Sequence, residues 1–138
     1  MKDTYKKLAI TGIVGILGFA LYCFNQRKNN TPKIFYRKRL VNNYNGYNIP
    51  PFGIFIKESE KDNKALIEHE KIHWKQFQKE GLIPFLFNYS KEQITEGYDK
   101  NKYEIEARTV EDDYCKLNYT ECVRNGTAKT ADNPYFRS

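Results

Sequence analysis

Several features are scarce in this sequence of 138 residues: it has two histidines, three cysteines and one tryptophan, and it contains no internal repeat. The length leaves no room for a second full domain. With 40% hydrophobic and 29% charged residues, the composition is that of one folded domain rather than of a disordered chain.

A net positive charge is missing from most of the chain, although the whole chain has a net charge of +6. Met1–Arg39 has nine Lys and Arg against one Asp, whereas residues 40–138 have fourteen against sixteen Asp and Glu, which is a net charge of −2. A nucleic-acid-binding domain needs basic side chains spread over its folded face, so the distribution argues against nucleic acid as a partner. It favours positive charge clustered beside a membrane segment.

Charge is absent from Leu8–Phe24, a run of seventeen residues between Lys6-Lys7 and Arg27-Lys28. At about 1.5 Å per residue, a helix of this length covers roughly 25 Å of a hydrocarbon core of about 30 Å. No small-x-small cleavage site follows the run, which favours an uncleaved anchor over a signal peptide. We therefore expect a short flank over residues 1–7 and a single-pass membrane anchor over residues 8–24.

The residues in and around the anchor leave its pairing and its orientation open. Gly12, Gly15 and Gly18 lie on roughly one side of the helix, which would permit a homo-oligomer through close helix contact. Basic residues flank the run at both ends, so their count does not decide on which side of the membrane the body lies. Cys115 and Cys122 are close enough for a disulfide and equally ordinary as free thiols.

Two short segments follow a polar linker at residues 25–32 and have the composition of β-strands. Residues 33–41 and 52–57 are rich in aromatic and β-branched side chains. Between them, Asn45-Gly46 predicts a tight turn. We expect a small hairpin or meander at the start of the body.

An amphipathic helix is predicted from Asn63 to about Glu80, because apolar side chains and both histidines recur there at steps of three and four. Ser59 and Asp62 are the candidate N-caps, and Gly81 can end the helix. The helix presents one face to the core and one, mostly lysine and glutamate, to solvent.

Three segments complete the predicted body. Leu82–Tyr89 is apolar but too short to span a membrane, and we expect it to pack in the core under the helix. A further helix is predicted over residues 102–116. Residues 124–138 are expected to form a loosely ordered tail.

His69-Glu70-Lys71-Ile72-His73 is an HExxH motif, and it holds both histidines of the chain. Residues four apart share one face of a helix, so both imidazoles can bind one Zn²⁺ at about 2.0–2.1 Å. Glu70 lies about 100° round the helix from His69, where a general base can take a proton from a zinc-bound water. The motif therefore predicts a zinc site with Glu70 as the catalytic base.

A catalytic zinc site needs a third protein ligand. Without a third histidine, the extended signature that ends in a later His is excluded, and the ligand must be a carboxylate. The candidates are Glu92, Glu96, Glu104 and Glu106. Glu104 and Glu106 are the best of these because they lie on the predicted second helix, and since they lie on different faces only one can point at the metal.

Ile67–Phe77 (IEHEKIHWKQF), an apolar stretch and Tyr98–Arg108 (YDKNKYEIEAR) resemble the small gluzincin metallopeptidases over about forty residues. These include the membrane-bound CAAX-processing, heat-shock-protease and antirepressor types, in which an E-x-x-A-D-like helix follows HExxH. The resemblance implies an α+β fold with a minimal zincin-like domain over residues 33–123. It also implies an edge strand that aligns an extended peptide, a role that Phe52–Lys57 can fill.

The resemblance also implies roles for individual residues. His69 and His73 would be zinc ligands and Glu70 the general base. Glu104 would be the third ligand, because it stands three residues before Ala107 as the family's glutamate does. This is a His-His-Glu zinc site.

Two positions depart from the family's pattern. Lys71 is charged where the family's helix usually has an uncharged residue, and Arg108 replaces the aspartate whose hydrogen bond would orient a histidine. The second departure keeps Glu106 as the reserve metal ligand. For the oxyanion that forms during peptide hydrolysis, Tyr98 and Tyr103 are the candidate hydrogen-bond donors.

The predicted function is that of a membrane-anchored zinc metalloendopeptidase acting on a peptide or protein substrate. Two alternatives stay open. The first is a catalytically inactive protein that keeps the zinc as a structural element of a membrane or virion assembly. The second is a metal-free interaction protein in which HExxH arose by chance.

Overall fold

The computed structural model describes residues 2–128 and has an α+β fold. In chain order the helices and strands are α1 Lys2–Arg27, β1 Ile34–Arg37, β2 Gly46–Ile49, β3 Gly53–Lys57, α2 Lys64–Glu80, α3 Leu82–Thr95, α4 Lys102–Leu117 and α5 Tyr119–Arg124. Within the predicted tail, α5 ends at Arg124, and residues 129–138 lie outside the described part of the chain.

The N-terminal helix α1 contains a segment, Lys7–Arg27, that is long and apolar enough to cross a membrane. It has 21 residues and a mean hydropathy of 1.9, and none of its apolar window is buried inside the protein. At about 1.5 Å per residue, it is roughly 31 Å long. The predicted linker at residues 25–32 is wrong in its first part, because the helix continues through Arg27.

The sheet has the strand order β1-β3-β2, and its pairing differs from the predicted hairpin. The two predicted strands do pair, but β1 runs parallel to β3. The antiparallel partner of β3 is β2, which begins at Gly46, inside the segment predicted to be a turn. Residues 52–57 therefore cannot supply an edge strand, since β3 has a neighbour on each side.

Helix α2 runs as predicted, but its N-cap is Asn63, whose side chain accepts a hydrogen bond from the backbone N–H of Leu66 at 3.2 Å. Ser59 does not cap it, because Glu58–Glu60 forms a separate turn of 3₁₀ helix. Gly81 ends the helix with a φ of 88°, a conformation that favours glycine.

The largest core cluster joins α2, α3 and α4. It consists of the buried side chains of Trp74, Phe77, Phe85 and Tyr103. Aromatic rings pack edge to face within it, as for Trp74 and Phe77, whose centroids are 5.1 Å apart. The cluster fixes α4 alongside α2.

Leu82–Tyr89 is helical, and only part of it packs in the core. Pro84 is accommodated in the first turn of α3, where no helical N–H is lost. Phe85 is buried, but Ile83 and Phe87 are 73% and 68% exposed. The expected core packing of the whole segment is therefore wrong, because the helix turns most of its apolar side chains outward.

Two connections hold the ends of α2. Near its start, the Cys115–Cys122 disulfide links α4 to α5 and packs on Ala65. Near its end, the Arg27 guanidinium donates hydrogen bonds to the carbonyl oxygens of Gln78 and Lys79 at 2.6 and 2.8 Å. The end of α1 is thus fastened to the end of the helix that carries both histidines.

Candidate metal centre

Helix α2 carries His69, Glu70 and His73 into a cleft between β2, α3 and α4. All three side chains are more than nine-tenths buried. The two imidazole rings lie edge to face with their centroids 5.1 Å apart, as the four-residue spacing requires. The motif therefore forms one compact cluster.

Glu104 completes the cluster from α4, as predicted. Its carboxylate lies 3.4 Å from the Nε2 atom of His69 and 3.4 Å from that of His73. One ligand atom from each of these three residues lies within 4.8 Å of the others. Glu106 is not part of this group, since its carboxylate accepts a hydrogen bond from Gln76 at 2.9 Å on another face of α4.

The geometry fits a metal ion. In a tetrahedral site with bonds of about 2.0–2.1 Å, ligand atoms stand roughly 3.3–3.4 Å apart. The Oε2 atom of Glu104 lies at 3.4 Å from His69 and the Oε1 atom at 3.4 Å from His73, so each histidine has one carboxylate oxygen at this distance. Among residues 2–128, no donor forms a hydrogen bond to the buried Oε2 atom of Glu104. A buried carboxylate oxygen left without a donor is costly, and a cation between the three side chains would satisfy it.

Each histidine is oriented through its other ring nitrogen. The Nδ1 atom of His69 lies 2.8 Å from the Glu111 carboxylate, and that of His73 lies 2.8 Å from the Gln76 side-chain oxygen. Both acceptors require a proton on Nδ1, which in a neutral imidazole leaves Nε2 free to bind a metal. These contacts preset the correct tautomer.

Sequence reasoning missed Glu111, although the spacing offers a signal. Glu111 lies seven residues after Glu104, on the same face of α4. Arg108, at the position where the family pattern has an aspartate, instead donates to the carbonyl oxygen of Asp99 at 2.6 Å. The bond that orients the histidine is therefore supplied from further along the same helix.

Gln76 was also missed, and it connects Glu106 to the centre. Its amide nitrogen donates to the Tyr103 carbonyl oxygen and to the Glu106 carboxylate at 3.0 and 2.9 Å, which turns its oxygen towards His73. Glu106 thus acts on the centre through Gln76 and not as a ligand.

The charges of the cluster are tightly coupled. Burial by itself lowers the pKa of His69, but hydrogen bonds to Glu104 and Glu111 outweigh it and raise the pKa to about 10. The pKa of His73 is raised in the same way, against burial, by Glu104. In the absence of metal, the carboxylates around the cluster therefore favour the protonated form of both imidazoles.

Glu70 lies beside the three residues of the candidate metal group and is not a member of it. Burial raises the pKa of its carboxyl to about 7, and the neighbouring histidines limit the rise. Its carboxylate faces Gly46 of β2, where an added Cβ would be 3.3 Å from Oε1. Because Gly46 has no side chain, β2 can lie close to the Glu70 carboxylate, which lines the cleft.

The two predicted oxyanion donors lie in different places. Tyr98 lines the cleft and is half exposed, and burial together with Glu104 raises its pKa to about 12. Tyr103 is buried, and its hydroxyl donates to the Glu80 carboxylate at 2.8 Å. Tyr103 therefore cannot serve the centre, and its predicted role is wrong. A tyrosine that was not predicted, Tyr89, donates its hydroxyl to Glu104.

The cleft has a volume of about 430 Å³ and two walls of different chemistry. Backbone and side chains of β2 form one wall, and Phe85, Leu86 and Tyr89 of α3 form much of the other. On the β2 wall, the side-chain nitrogen and oxygen of Asn48 are buried and lack hydrogen-bond partners within the described residues. The cleft thus offers apolar surface on one side and an amide on the other.

No protein-family model matches this chain, and no curated protein or solved structure is significantly similar to it. The zincin-like fold and the resemblance to gluzincins therefore stay predictions. The fold itself is α+β with one N-terminal apolar helix. The site is a group of two histidines and one glutamate that could hold a metal ion.

Proposed function

We propose that this protein is a membrane-anchored zinc metallopeptidase with a His-His-Glu site. The observation that carries the proposal is the convergence of His69, His73 and Glu104, whose ligand atoms lie within 4.8 Å of one another beside a buried, non-coordinating Glu70. Two imidazoles and one carboxylate form the ligand set of several catalytic zinc sites, and a fourth position stays open for water. The metal we propose is accordingly zinc.

When bound, zinc supplies a Lewis acid that polarises the scissile carbonyl and lowers the pKa of water towards about 7. The remaining chemistry belongs to the side chains. Glu70 accepts the proton of the attacking water and delivers it to the leaving amine, the role that its buried carboxylate beside the metal group allows. Its burial keeps bulk water from competing for that proton.

Tyr98 is the donor that we assign to the oxyanion. Its hydroxyl lies on the cleft wall near Glu104, and its pKa of about 12 keeps it protonated at neutral pH. Tyr89 has a different role, because its hydrogen bond to Glu104 holds that carboxylate in position for the metal.

The β2 wall supports a peptide as the substrate. β2 is at an edge of the sheet, so it can pair with an extended chain, and the Asn48 amide offers both a donor and an acceptor. This replaces the role expected of residues 52–57. The apolar α3 wall favours a large apolar side chain in the peptide.

The membrane location rests on α1, which is long and apolar enough to span a bilayer once. Its end is bonded to α2 through Arg27, so the cleft is carried at a fixed distance from the anchor. Which face of the membrane carries the body is left open by the basic residues at both ends of the anchor.

The test uses the full-length protein in detergent and measures zinc content by elemental mass spectrometry together with cleavage of fluorescein-labelled casein. We expect about one zinc per chain in the wild type and in Glu70→Gln, with turnover lowered by about 10²- to 10⁴-fold in the variant. Glu68→Gln is the matched control, because Glu68 lies on the same helix and pairs with Lys71 at the surface.

The possible outcomes separate the three predicted functions. Zinc with turnover that depends on Glu70 supports the peptidase. Zinc without turnover on casein or on membrane-tethered peptides indicates a structural metal in an inactive protein. A chain that takes up no zinc after supplementation contradicts the proposal and leaves a metal-free interaction protein.

A further inference from the structure

Five large apolar side chains are exposed on the two segments that contribute Pro50 and Leu86 to the cleft lining, and we call these five together the apolar rim. They come from the β2–β3 turn and from the first two turns of α3: Ile49, Phe52, Ile83, Leu86 and Phe87. Their exposed fractions range from 41% to 73%. An apolar surface of this kind next to a binding cleft calls for a partner that removes it from water.

The β2–β3 turn lies against the anchor helix. The ring of Phe52 is 6.5 Å from that of Phe19 and 6.2 Å from that of Tyr22, measured between centroids. Both partners belong to the segment Lys7–Arg27, which is long and apolar enough to cross a membrane. Phe19 lies eight residues before Arg27, which is about 12 Å along the helix axis. The turn therefore stands beside the last two turns of the span.

The start of α3 is held at the same end of the anchor. The Arg27 guanidinium bonds the last carbonyl oxygens of α2, and it lies 3.5 Å from the position that a Cβ on Gly81 would occupy. Ile83 and Phe87 follow within the next two turns. Both parts of the rim are thus fixed near the point where the apolar helix ends.

We propose that the apolar rim is buried in the interface of the lipid bilayer, as a second membrane contact beside the anchor. The inference rests on the membrane location in the proposed function. If the span ends at Arg27, a turn beside Phe19 cannot avoid the bilayer, and its apolar side chains match that depth.

The charges near the rim are those of a lipid interface. Lys28, Lys33 and Lys79 are exposed at the same end of the protein. The Lys28 ammonium lies 4.2 Å above the centroid of the Phe24 ring, a cation–π contact at the end of the apolar helix. Lysines placed just outside an apolar surface meet anionic headgroups favourably.

The rim also defines a substrate class. Pro50 and Leu86 belong both to the cleft wall and to the segments that carry the rim, so the mouth of the cleft opens at the membrane surface. The substrate is then a peptide segment of a membrane-bound protein at the level of the headgroups. A soluble peptide has no such access along the bilayer.

The test measures how deeply single labelled positions lie in a lipid bilayer. The full-length protein carries Cys23→Ser, which leaves the Cys115–Cys122 disulfide as its remaining cysteine pair, together with one new cysteine bearing an environment-sensitive fluorophore. It is reconstituted into phosphatidylcholine and phosphatidylglycerol vesicles. These contain lipids with a spin label either near the headgroup or near the end of the acyl chain.

Three positions are compared. Phe87→Cys tests the rim, and Ile13→Cys tests the anchor. Leu117→Cys is the matched control, because Leu117 is apolar and 87% exposed at the end of α4, next to the start of α2. About 24 Å of helix separates that end of α2 from Arg27.

We expect the shallow spin label to reduce the fluorescence at residue 87 by roughly half or more, as for an interfacial side chain, and to leave residue 117 unchanged. If the shallow label quenches residues 87 and 117 equally weakly while the deep label strongly quenches residue 13, the inference about the rim is wrong and the membrane anchor is supported. Loss of quenching at residue 13 would overturn both. If the fluorophore at residue 87 reports an apolar environment but neither spin label quenches it, a second protein chain rather than lipid covers the rim, and the inference is wrong.

Discussion

Glu111 accepts a hydrogen bond from the Nδ1 atom of His69 at 2.8 Å, and it does so from the helix that also carries Glu104. The two glutamates lie seven residues apart on one face of α4. A single helix therefore supplies both the third residue of the candidate metal group and the carboxylate that orients His69. Any shift of α4 against α2 would disturb both contacts together.

Replacing Glu111 should weaken metal binding without removing a ligand. In Glu111→Ala, His69 loses the partner that fixes its tautomer, so we expect zinc affinity to fall by about 10- to 100-fold, measured by competition with a chromophoric chelator. Glu111→Gln should recover part of the loss, because its amide oxygen can still accept the proton. Asp112→Asn, at an exposed neighbour, should leave the affinity unchanged. Unaltered affinity in Glu111→Ala would contradict the orienting role.

Replacing Glu104 and replacing Glu106 should have different effects on the zinc content of the protein. Glu104→Ala removes a ligand, and we expect the purified protein to lose zinc. Glu106→Ala removes only an acceptor of Gln76, and we expect near-stoichiometric zinc with modestly weaker binding. Elemental mass spectrometry on both variants decides between the two residues. Retention of zinc by Glu104→Ala and its loss from Glu106→Ala would reverse the assignment.

Zinc binding should release protons at neutral pH. The pKa of His69 is raised to about 10, so its imidazole is protonated in the metal-free protein at pH 7, and the pKa of His73 is raised as well. A metal ion can bind only the neutral rings, so at least about one proton should leave per zinc bound. Calorimetric titrations in buffers of different ionisation enthalpy give this number. A value near zero would show that the histidines are already neutral.

Replacing Tyr98 should lower turnover, whereas replacing Tyr103 should lower stability. In Tyr98→Phe we expect turnover to fall by about 10²- to 10³-fold with KM little changed, as for the loss of an oxyanion donor. In Tyr103→Phe we expect turnover to persist and the free energy of unfolding to fall by about 1 kcal/mol, since the Glu80 hydrogen bond is lost inside the core. Kinetics and urea unfolding on the two variants provide the comparison.

The histidine helix could be predicted from the sequence because several independent signals agree over residues 64–80. An apolar period, a following glycine and a ligand spacing all require the same helix. The strand β2 gave no such signal. Its sequence, Gly-Tyr-Asn-Ile, resembles a turn, and the strand exists because β3 offers it a partner.

The same contrast holds within the site. Glu104 was predictable, because the predicted helix that carries it resembles, in sequence and in spacing from HExxH, the second helix of the gluzincins. Glu111, Gln76 and Tyr89 were not, because each acts by touching a ligand from an element whose packing no local pattern reports. Contacts around a metal depend on how helices cross, which the sequence of one helix does not contain.

The hydrogen bonds between Arg27 and the end of α2 have a mechanical consequence. A helix of about 31 Å fits a bilayer core of about 30 Å, and in a thinner membrane it has to tilt. Because the Arg27 guanidinium donates hydrogen bonds to two carbonyl oxygens of the helix that carries the histidines, a tilt of the anchor would also tilt α2. Since the aromatic core cluster holds α4 against α2, both helices would turn together, and the angle between the cleft and the membrane would then follow the thickness of the surrounding lipid.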